Sequence, residues 1–229
     1  MAKKVEHRHE LLENPEAIQE KLVGAETWME RNSKLVLGLG ALVILGIAGY
    51  FGFQYYKESK NTQAHEDMFQ AVYYFEADSL SKALNGDGNN LGFLDIISEY
   101  GVTDAANLAH FYTGAIYLKQ GKFGPAREHL EDFSSNDLLV QARAYSLIGD
   151  TFMEEKNYTE AASYYEKAAN YNANKYFSPG YLLKEALAYE KANQIDKAKE
   201  TYDKIINEYW DSSEFQKASK LKARLESNS

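Results

Sequence analysis

One order of residues recurs three times in the C-terminal part of the chain, and it constrains the fold more than any other feature. The order is a small residue, an aromatic residue three positions later, a bulky residue after a short gap, and then alanine followed four positions on by another bulky residue. Small residues let two antiparallel helices approach and large residues fill the space between them, so the order predicts stacked helix pairs. The three copies are Gly114, Tyr117, Phe123, Ala126 and Leu130; Gly149, Phe152, Tyr158, Ala161 and Tyr165; and Ala186, Tyr189, Ile195, Ala198 and Tyr202.

This order resembles the tetratricopeptide repeat, a helix–turn–helix unit of about 34 residues. The third copy departs from the family pattern, with Ala186 in place of the usual glycine and Ile205 in place of the usual alanine, and no copy ends with the expected proline. The resemblance implies an all-α solenoid in which the first helix of each unit lines a concave, protein-binding surface. The middle copy matches best, at Tyr145, Ile148, Gly149, Phe152, Tyr158, Ala161, Tyr165 and Ala168.

The repeat order also divides the region after residue 56 into segments. Upstream of the three copies, residues 64–83 read as a helix, and a second helix is predicted from about Phe93 to Glu99. In the loop between them, Asp87 and Asn89 resemble calcium ligands, but no glutamate closes such a site, so a turn is predicted. The predicted repeat domain, residues 57–229, comprises a degenerate unit at 62–103, repeats at about 107–140, 142–175 and 179–211, and a capping helix at 213–225.

Residues 35–53 form an apolar run, LVLGLGALVILGIAGYFGF, without a charged residue. At about 1.5 Å per residue, a helix of this length spans the hydrocarbon core of a bilayer, about 30 Å. Tyr50, Tyr55 and Tyr56 stand at its C-terminal end, where aromatic rings favour the interface. A cleaved signal peptide would begin with a short basic leader, whereas 34 residues precede this run. We therefore predict a single transmembrane helix at 34–56.

The charges beside this span and the glycines within it bear on its orientation and contacts. The N-terminal side has one more basic residue than the C-terminal side, which favours a cytoplasmic N-terminus by the positive-inside rule. Gly46, Gly49 and Gly52 form a face of small residues that could contact another transmembrane helix, although glycine is also simply tolerated in lipid. The charges are Lys21, Arg31 and Lys34 before the span, and Lys57 and Lys60 after it.

The N-terminal segment, residues 1–33, contains a predicted amphipathic helix. Asn14-Pro15-Glu16 has the residue types that start helices. A helix that binds anionic lipid is rich in lysine and arginine, whereas the polar face here is acidic, so this helix is expected either to dock on a protein or only to precede the membrane helix. His9 and Glu10 begin a zinc-binding order, but its second histidine is missing and no metal site is predicted. The apolar positions of this helix are Ile18, Leu22, Ala25 and Met29.

The resemblance also assigns candidate groove residues. Relatives that clamp a C-terminal carboxylate use lysine and asparagine on the first helices, but Phe111, Ala115 and Leu118 occupy the matching positions here, so that mode is not expected. A mixed apolar and charged groove suits an extended segment or a partner's helix. Some of these side chains can equally serve only to pack neighbouring helices. The predicted groove residues are Phe111, Leu118, Lys119, Arg143, Ser146, Asp150, Glu154, Leu187 and Glu190.

Composition and motifs argue against several classes of function. The net charge of −9 disfavours binding to the phosphate backbone of nucleic acids. The chain has no cysteine, which excludes disulfides and thiolate catalysis. His65 and His110 read as single histidines in helices, and no nucleophile or phosphate-binding motif is present. We expect no enzymatic activity, no cofactor, no metal and no small-molecule substrate.

The layout as a whole is similar to that of the YfgM-type ancillary subunits of the bacterial Sec translocon, on residues 35–56, 105–121 and 148–168. That resemblance implies an anchor in the inner membrane, a cytoplasmic N-terminus and a periplasmic repeat domain. The implied partners are translocon subunits, a chaperone of the PpiD type and exported polypeptides. Two alternatives remain: a receptor for protein import with its repeats in the cytosol, and a scaffold subunit of another envelope complex.

Overall fold

The computed structural model of the protein describes residues 15–227, which contain eleven helices and no strand. The expected fold class is confirmed: the protein is all-α, with one long apolar helix near the N-terminus followed by a helical repeat domain. The helices are α1 (Pro15–Arg31), α2 (Ser33–Glu76), α3 (Leu80–Asn85), α4 (Phe93–Tyr100), α5 (Asp104–Lys119), α6 (Phe123–Asp132), α7 (Leu138–Glu154), α8 (Tyr158–Tyr171), α9 (Ser178–Lys191), α10 (Ile195–Glu208) and α11 (Phe215–Ser227).

The chain divides into two compact units, Met1–Tyr56 and Lys57–Ser229, and helix α2 contributes residues to both. In the first unit, α1 begins at Pro15, and the predicted cap Asn14 and the 9–13 motif lie outside the described residues. Helix α2 is long and apolar enough to cross a membrane: its most apolar 18-residue stretch has a mean hydropathy of 2.2 and no buried residue. This exposure is compatible with a single-pass membrane protein.

In the second unit, the three copies of the recurring order lie on three helix pairs, α5/α6, α7/α8 and α9/α10. The buried contacts between the paired helices fall on the recurring positions. The alanines at 126, 161 and 198 are fully buried, and Leu130, Tyr165 and Tyr202 beside them are at most 2% exposed. A Cβ added to Gly114 would lie 2.5 Å from Leu130 Cγ, so glycine is what allows α5 and α6 to pack this closely.

The turn inside each pair has the same backbone hydrogen bond. The N–H of Lys122 donates to the carbonyl of Tyr117 at 2.9 Å, that of Asn157 to Phe152 at 2.8 Å, and that of Gln194 to Tyr189 at 2.9 Å. The residue before each donor has a positive φ: 73° at Gly121, 62° at Lys156 and 58° at Asn193. Such a left-handed residue ends a helix by satisfying its last carbonyls.

The same turn separates α2 from α3, which corrects the helix predicted at 64–83. The N–H of Ser79 donates to the carbonyl of Tyr74 at 2.8 Å, and Asp78 has a φ of 55°. Aspartate tolerates the left-handed conformation better than most residues, so the chain can turn there although no glycine or proline marks the site. The segment upstream of the three copies therefore shares their turn while lacking their motif.

Helix α11 covers the last helix pair. Ala218 is fully buried, and Leu221 and Leu225 pack with it against a cluster that includes Leu182 and Tyr202. The apolar face of this helix explains why the stack of pairs can end here without exposing its core.

Candidate protein-binding surface

The nine predicted groove residues all lie on α5, α7 and α9, the first helix of each pair. The structure brings Leu118, Lys119, Asp150 and Glu154 together in one open cavity of about 540 Å³. Met153 and Tyr165 line the same cavity, and Tyr165 is the one of these two that the sequence did not point to. Lys119 is held at its edge, because its Nζ lies 2.9 Å from Asp78 Oδ1. The cavity therefore combines apolar surface with carboxylates.

Asp150 is the centre of a polar network that links two repeats. Lys184 Nζ on α9 lies 2.9 Å from both carboxylate oxygens of Asp150 and 3.0 Å from Ser146 Oγ on α7. The hydroxyl of Tyr165 donates to Asp150 Oδ1 at 2.6 Å. Burial, reinforced by the charge of Asp150, raises the pKa of Tyr165, so this hydroxyl stays a donor. Lys184 lies 34 residues after Asp150, and this interval of one repeat is the signal that could have pointed to it.

Arg143 occupies a second, smaller cavity of about 240 Å³ between the beginnings of α7 and α9. Its side chain is exposed and forms no ion pair with any residue in the described part of the chain. The neighbouring wall is apolar and includes Leu138, Leu139 and Phe177, each about half exposed. Sequence reasoning missed these three residues because they precede or begin the first helices and fall on no motif position.

The remaining predicted groove residues are engaged inside the repeat domain. Phe111 packs with Phe133 and Ile148 in a buried cluster, and Ser146 is buried beneath Lys184. Leu187 packs in the cluster around Tyr202. Glu190 accepts a hydrogen bond from the Tyr202 hydroxyl at 2.6 Å and pairs with Arg224 of α11. These four side chains hold helices together and have little surface to offer a partner.

Within the described part of the chain, no atom from outside their own helix backbone packs against the glycines of the predicted transmembrane contact. A Cβ added to Gly46, Gly49 or Gly52 would meet no atom within 4 Å. Packing inside this protein therefore does not account for them.

Two titratable sites lie inside the repeat domain. His110, read from sequence as a single histidine, lies beside His129: their Nδ1 atoms are 3.1 Å apart. Burial lowers the pKa of both rings, and the charge of His110 adds to the lowering at His129. Glu185 on α9 is 6% exposed. Thr201 Oγ1 lies 3.2 Å from its Oε1, and its Oε2 has no hydrogen-bond partner among residues 15–227. Burial, with the nearby charge of Glu166, raises the pKa of Glu185 to about 7.

Among residues 15–227, no three histidine, aspartate or glutamate side chains are arranged to hold a metal ion. Asp87 Oδ1 accepts the backbone N–H groups of Asn89 and Asn90 at 2.9 and 2.8 Å, which organises the loop between α3 and α4 as a turn.

Comparison with known families agrees with the helix pairs. The family model of the tetratricopeptide repeat-like domain matches residues 26–227, and the chain belongs to this family. Domains of this kind are typically non-catalytic modules for protein–protein interaction. No curated protein matches the sequence.

Proposed function

We propose that this protein is a membrane-anchored interaction module that serves as an accessory subunit of the bacterial Sec translocon. Residues 34–56 cross the inner membrane, with residues 1–33 in the cytoplasm and the repeat domain, residues 57–229, in the periplasm. Its partners are translocon subunits, a chaperone of the PpiD type and exported polypeptides. The similarity of its layout to YfgM-type subunits supports the assignment to the translocon.

The cavity that joins Leu118, Met153 and Glu154 carries the proposal that exported chains bind here. Lys184 offsets the charge of Asp150, and Asp78 engages Lys119, so Glu154 is left as an exposed carboxylate beside apolar surface. This combination suits an extended segment that carries both apolar and basic side chains. The anchor confines the cavity to a thin layer beside the translocon, where a raised effective concentration lets weak contacts suffice.

Photocrosslinking can test this role in intact cells. A photoreactive residue in place of Glu154 should label nascent exported polypeptides, because it lines the cavity. The matched control replaces Glu160, an exposed glutamate on α8, and should label them much less. Labelling of one fixed subunit only would support the scaffold alternative, and equal labelling from both positions would overturn the proposal.

Protease accessibility tests the topology separately. Protease added to intact spheroplasts should digest residues 57–229 if the repeat domain is periplasmic. Protection of the domain would overturn the translocon role and support a receptor that faces the cytosol.

The glycine face of α2 is proposed to contact a transmembrane helix of a translocon subunit. Gly49→Leu should reduce co-purification of that subunit in gentle detergent, because the added side chain holds the helices apart. Gly40→Leu is the control, since at about 100° per residue Gly40 lies opposite the centre of the face formed by Gly46, Gly49 and Gly52. Equal retention of the subunit by both variants would argue against this contact.

A further inference from the structure

The bulky apolar side chains that the repeat domain exposes are concentrated in the connections between successive helix pairs. We call these connections, together with the helix ends they join, the inter-repeat edge. One or two such residues occur in each of four connections: before α5, before α7, before α9 and before α11. They are Val102, Leu138, Leu139, Tyr176, Phe177 and Trp210, and each is between 47% and 77% exposed.

Contacts within the repeat domain show that these four connections lie along the same edge. Three contacts join successive connections or the helix ends beside them, and a fourth joins Lys57 of α2 to the first connection. The contacts are Lys57 Nζ to Asp104 Oδ1 at 2.8 Å, Asn107 Nδ2 to the Ser134 carbonyl at 2.7 Å, the Tyr171 hydroxyl to the Ser135 carbonyl at 2.9 Å, and Lys175 Nζ to Asp211 Oδ2 at 3.6 Å.

The turns within the pairs form the opposite edge, and its character is different. Residues 120–122, 155–157 and 192–194 are polar or small, and among the described residues none of these turns exposes a bulky apolar side chain. Contacts such as that between Gln194 Nε2 and Thr159 Oγ1, at 3.0 Å, join the pairs along this edge. Apart from Phe69 and Tyr73, which are exposed on α2, the large apolar side chains that the described repeat domain exposes therefore lie at the inter-repeat edge.

Lys57, which contacts Asp104 at the first connection of the inter-repeat edge, lies four residues after Phe53 at the end of the apolar run. Four residues reach at most about 14 Å even when fully extended. If residues 35–53 span a bilayer, the chain itself must keep Lys57 close to the membrane–water interface. Tryptophan and tyrosine favour this interface because their rings have an apolar body and a polar group.

We propose that the inter-repeat edge rests on the bilayer surface, with Trp210, Tyr176 and Phe177 entering the headgroup region. This inference rests on the anchoring in the proposed function and adds the lipid surface as a second contact of the repeat domain. Asp104 and Asp211 on this edge are each paired with a lysine, and Asp137 accepts hydrogen bonds from the first backbone N–H groups of α7. The contact is thus made by aromatic and apolar burial and needs no anionic lipid.

Fluorescence of the full chain in vesicles tests this inference. The chain has two tryptophans, so Trp28→Phe leaves Trp210 as the sole reporter. In phosphatidylcholine vesicles with bromine atoms on the upper acyl chains, Trp210 emission should be blue-shifted and quenched at least twofold relative to vesicles without bromine. Raising the salt concentration should leave the quenching unchanged.

A control variant moves the reporter to the opposite edge. It combines Trp28→Phe and Trp210→Phe with Lys191→Trp, at an exposed position beside the turn 192–194. This tryptophan should be neither blue-shifted nor quenched. Equal quenching at both edges would overturn the inference, and so would quenching that disappears at high salt.

Flotation and alkaline extraction of the same vesicles separate this inference from the proposed anchor. Release of the chain by alkali would show that the anchor itself fails. If the chain stays in the bilayer while Trp210 remains unquenched, the anchor stands and the lipid contact is overturned. Blue-shifted emission in native membranes but not in lipid vesicles would show that a protein covers the edge, which would also overturn the lipid contact.

Discussion

The ring of Tyr165 fills the space that a side chain on Gly149 would need. A Cβ built on Gly149 lies 2.6 Å from Cε1 of Tyr165 and 2.8 Å from its Cδ1, closer than carbon atoms approach in proteins. The ring cannot easily move aside, because Tyr165 is 2% exposed and its hydroxyl is bound to Asp150. The closest approach of α7 and α8 is thus set by one glycine, one ring and one carboxylate.

We expect Gly149→Ala to lower the free energy of unfolding. Overpacking costs about 1–3 kcal/mol, and the better helix propensity of alanine returns about 1 kcal/mol, so a net loss of up to about 2 kcal/mol should result. Urea unfolding of the full chain in a mild detergent, followed by circular dichroism, measures it. Gly124→Ala on α6 is the control: a Cβ there meets no atom within 4 Å, and stability should hold or rise. Equal effects at the two sites would refute the packing argument.

Asp150→Ala should destabilise the domain more than Lys184→Met does. Removing the carboxylate leaves the buried Tyr165 hydroxyl without its acceptor, which costs about 1–3 kcal/mol. Lys184 is 43% exposed, and an ion pair at that exposure contributes at most about 1 kcal/mol. The two variants and their double mutant, compared by urea unfolding, give the coupling between the residues. The reverse order of effects would show that the ion pair, and not Tyr165, dominates the network.

Glu185→Gln should make the protein more stable than the wild type at pH 8 but not at pH 5. The folded-state pKa of Glu185, about 7, lies above its ordinary value of 4.5. The folded chain therefore holds this proton more tightly, and the stability it provides is lost as pH rises from 4.5 through 7. Glutamine cannot ionise, so its advantage at pH 8 could reach about 3 kcal/mol. An advantage that is the same at both pH values would contradict the ionisation argument.

The His110–His129 pair should lower the free energy of unfolding as pH falls below 6.5, which is the opposite pH dependence to that of Glu185. The pKa of both rings is lowered in the folded state, so the unfolded chain takes up protons first and stability declines as pH falls through this window. When only one ring is protonated, its Nδ1–H can still donate to the neutral Nδ1 of the other ring. Protonation of both rings places two N–H donors against each other. His129→Gln should therefore reduce the loss of stability between pH 7.5 and pH 5, measured by urea unfolding.

The control for the histidine prediction is His65→Gln, at an exposed position on α2. It should leave the pH profile as it is in the wild type. A loss of stability that persists in full in His129→Gln would show that the pair does not cause it.

The helical repeats could be predicted because their packing rules are local in sequence. The spacing between Gly149, Ala161 and Tyr165 carries the geometry of two helices in contact, so the order of residues alone indicates the fold. The turn at Asp78 could not be predicted in this way, because aspartate is compatible with both a helix and a left-handed turn, and no glycine or proline marks the site.

The surface was harder to predict than the fold, because exposure depends on neighbouring repeats. Phe111 and Glu190 fall on groove positions of the family. In the structure, however, Phe111 packs against Phe133, and Glu190 accepts a hydrogen bond from Tyr202. Glu185, which falls on none of the predicted site positions, is buried in the structure. A family position assigns a residue to a helix, whereas its burial depends on particular residues of the next helices.

Helix α11 has a consequence for how the repeat domain avoids aggregation. It covers the cluster around Tyr202 and Ile205, which are both fully buried. A chain that loses α11 by proteolysis or early termination would present that cluster to water, and the exposed helix pair would be a template for end-to-end association with another damaged copy. Such a fragment would therefore be prone to aggregate and a target for cellular quality control, although all three repeats are intact.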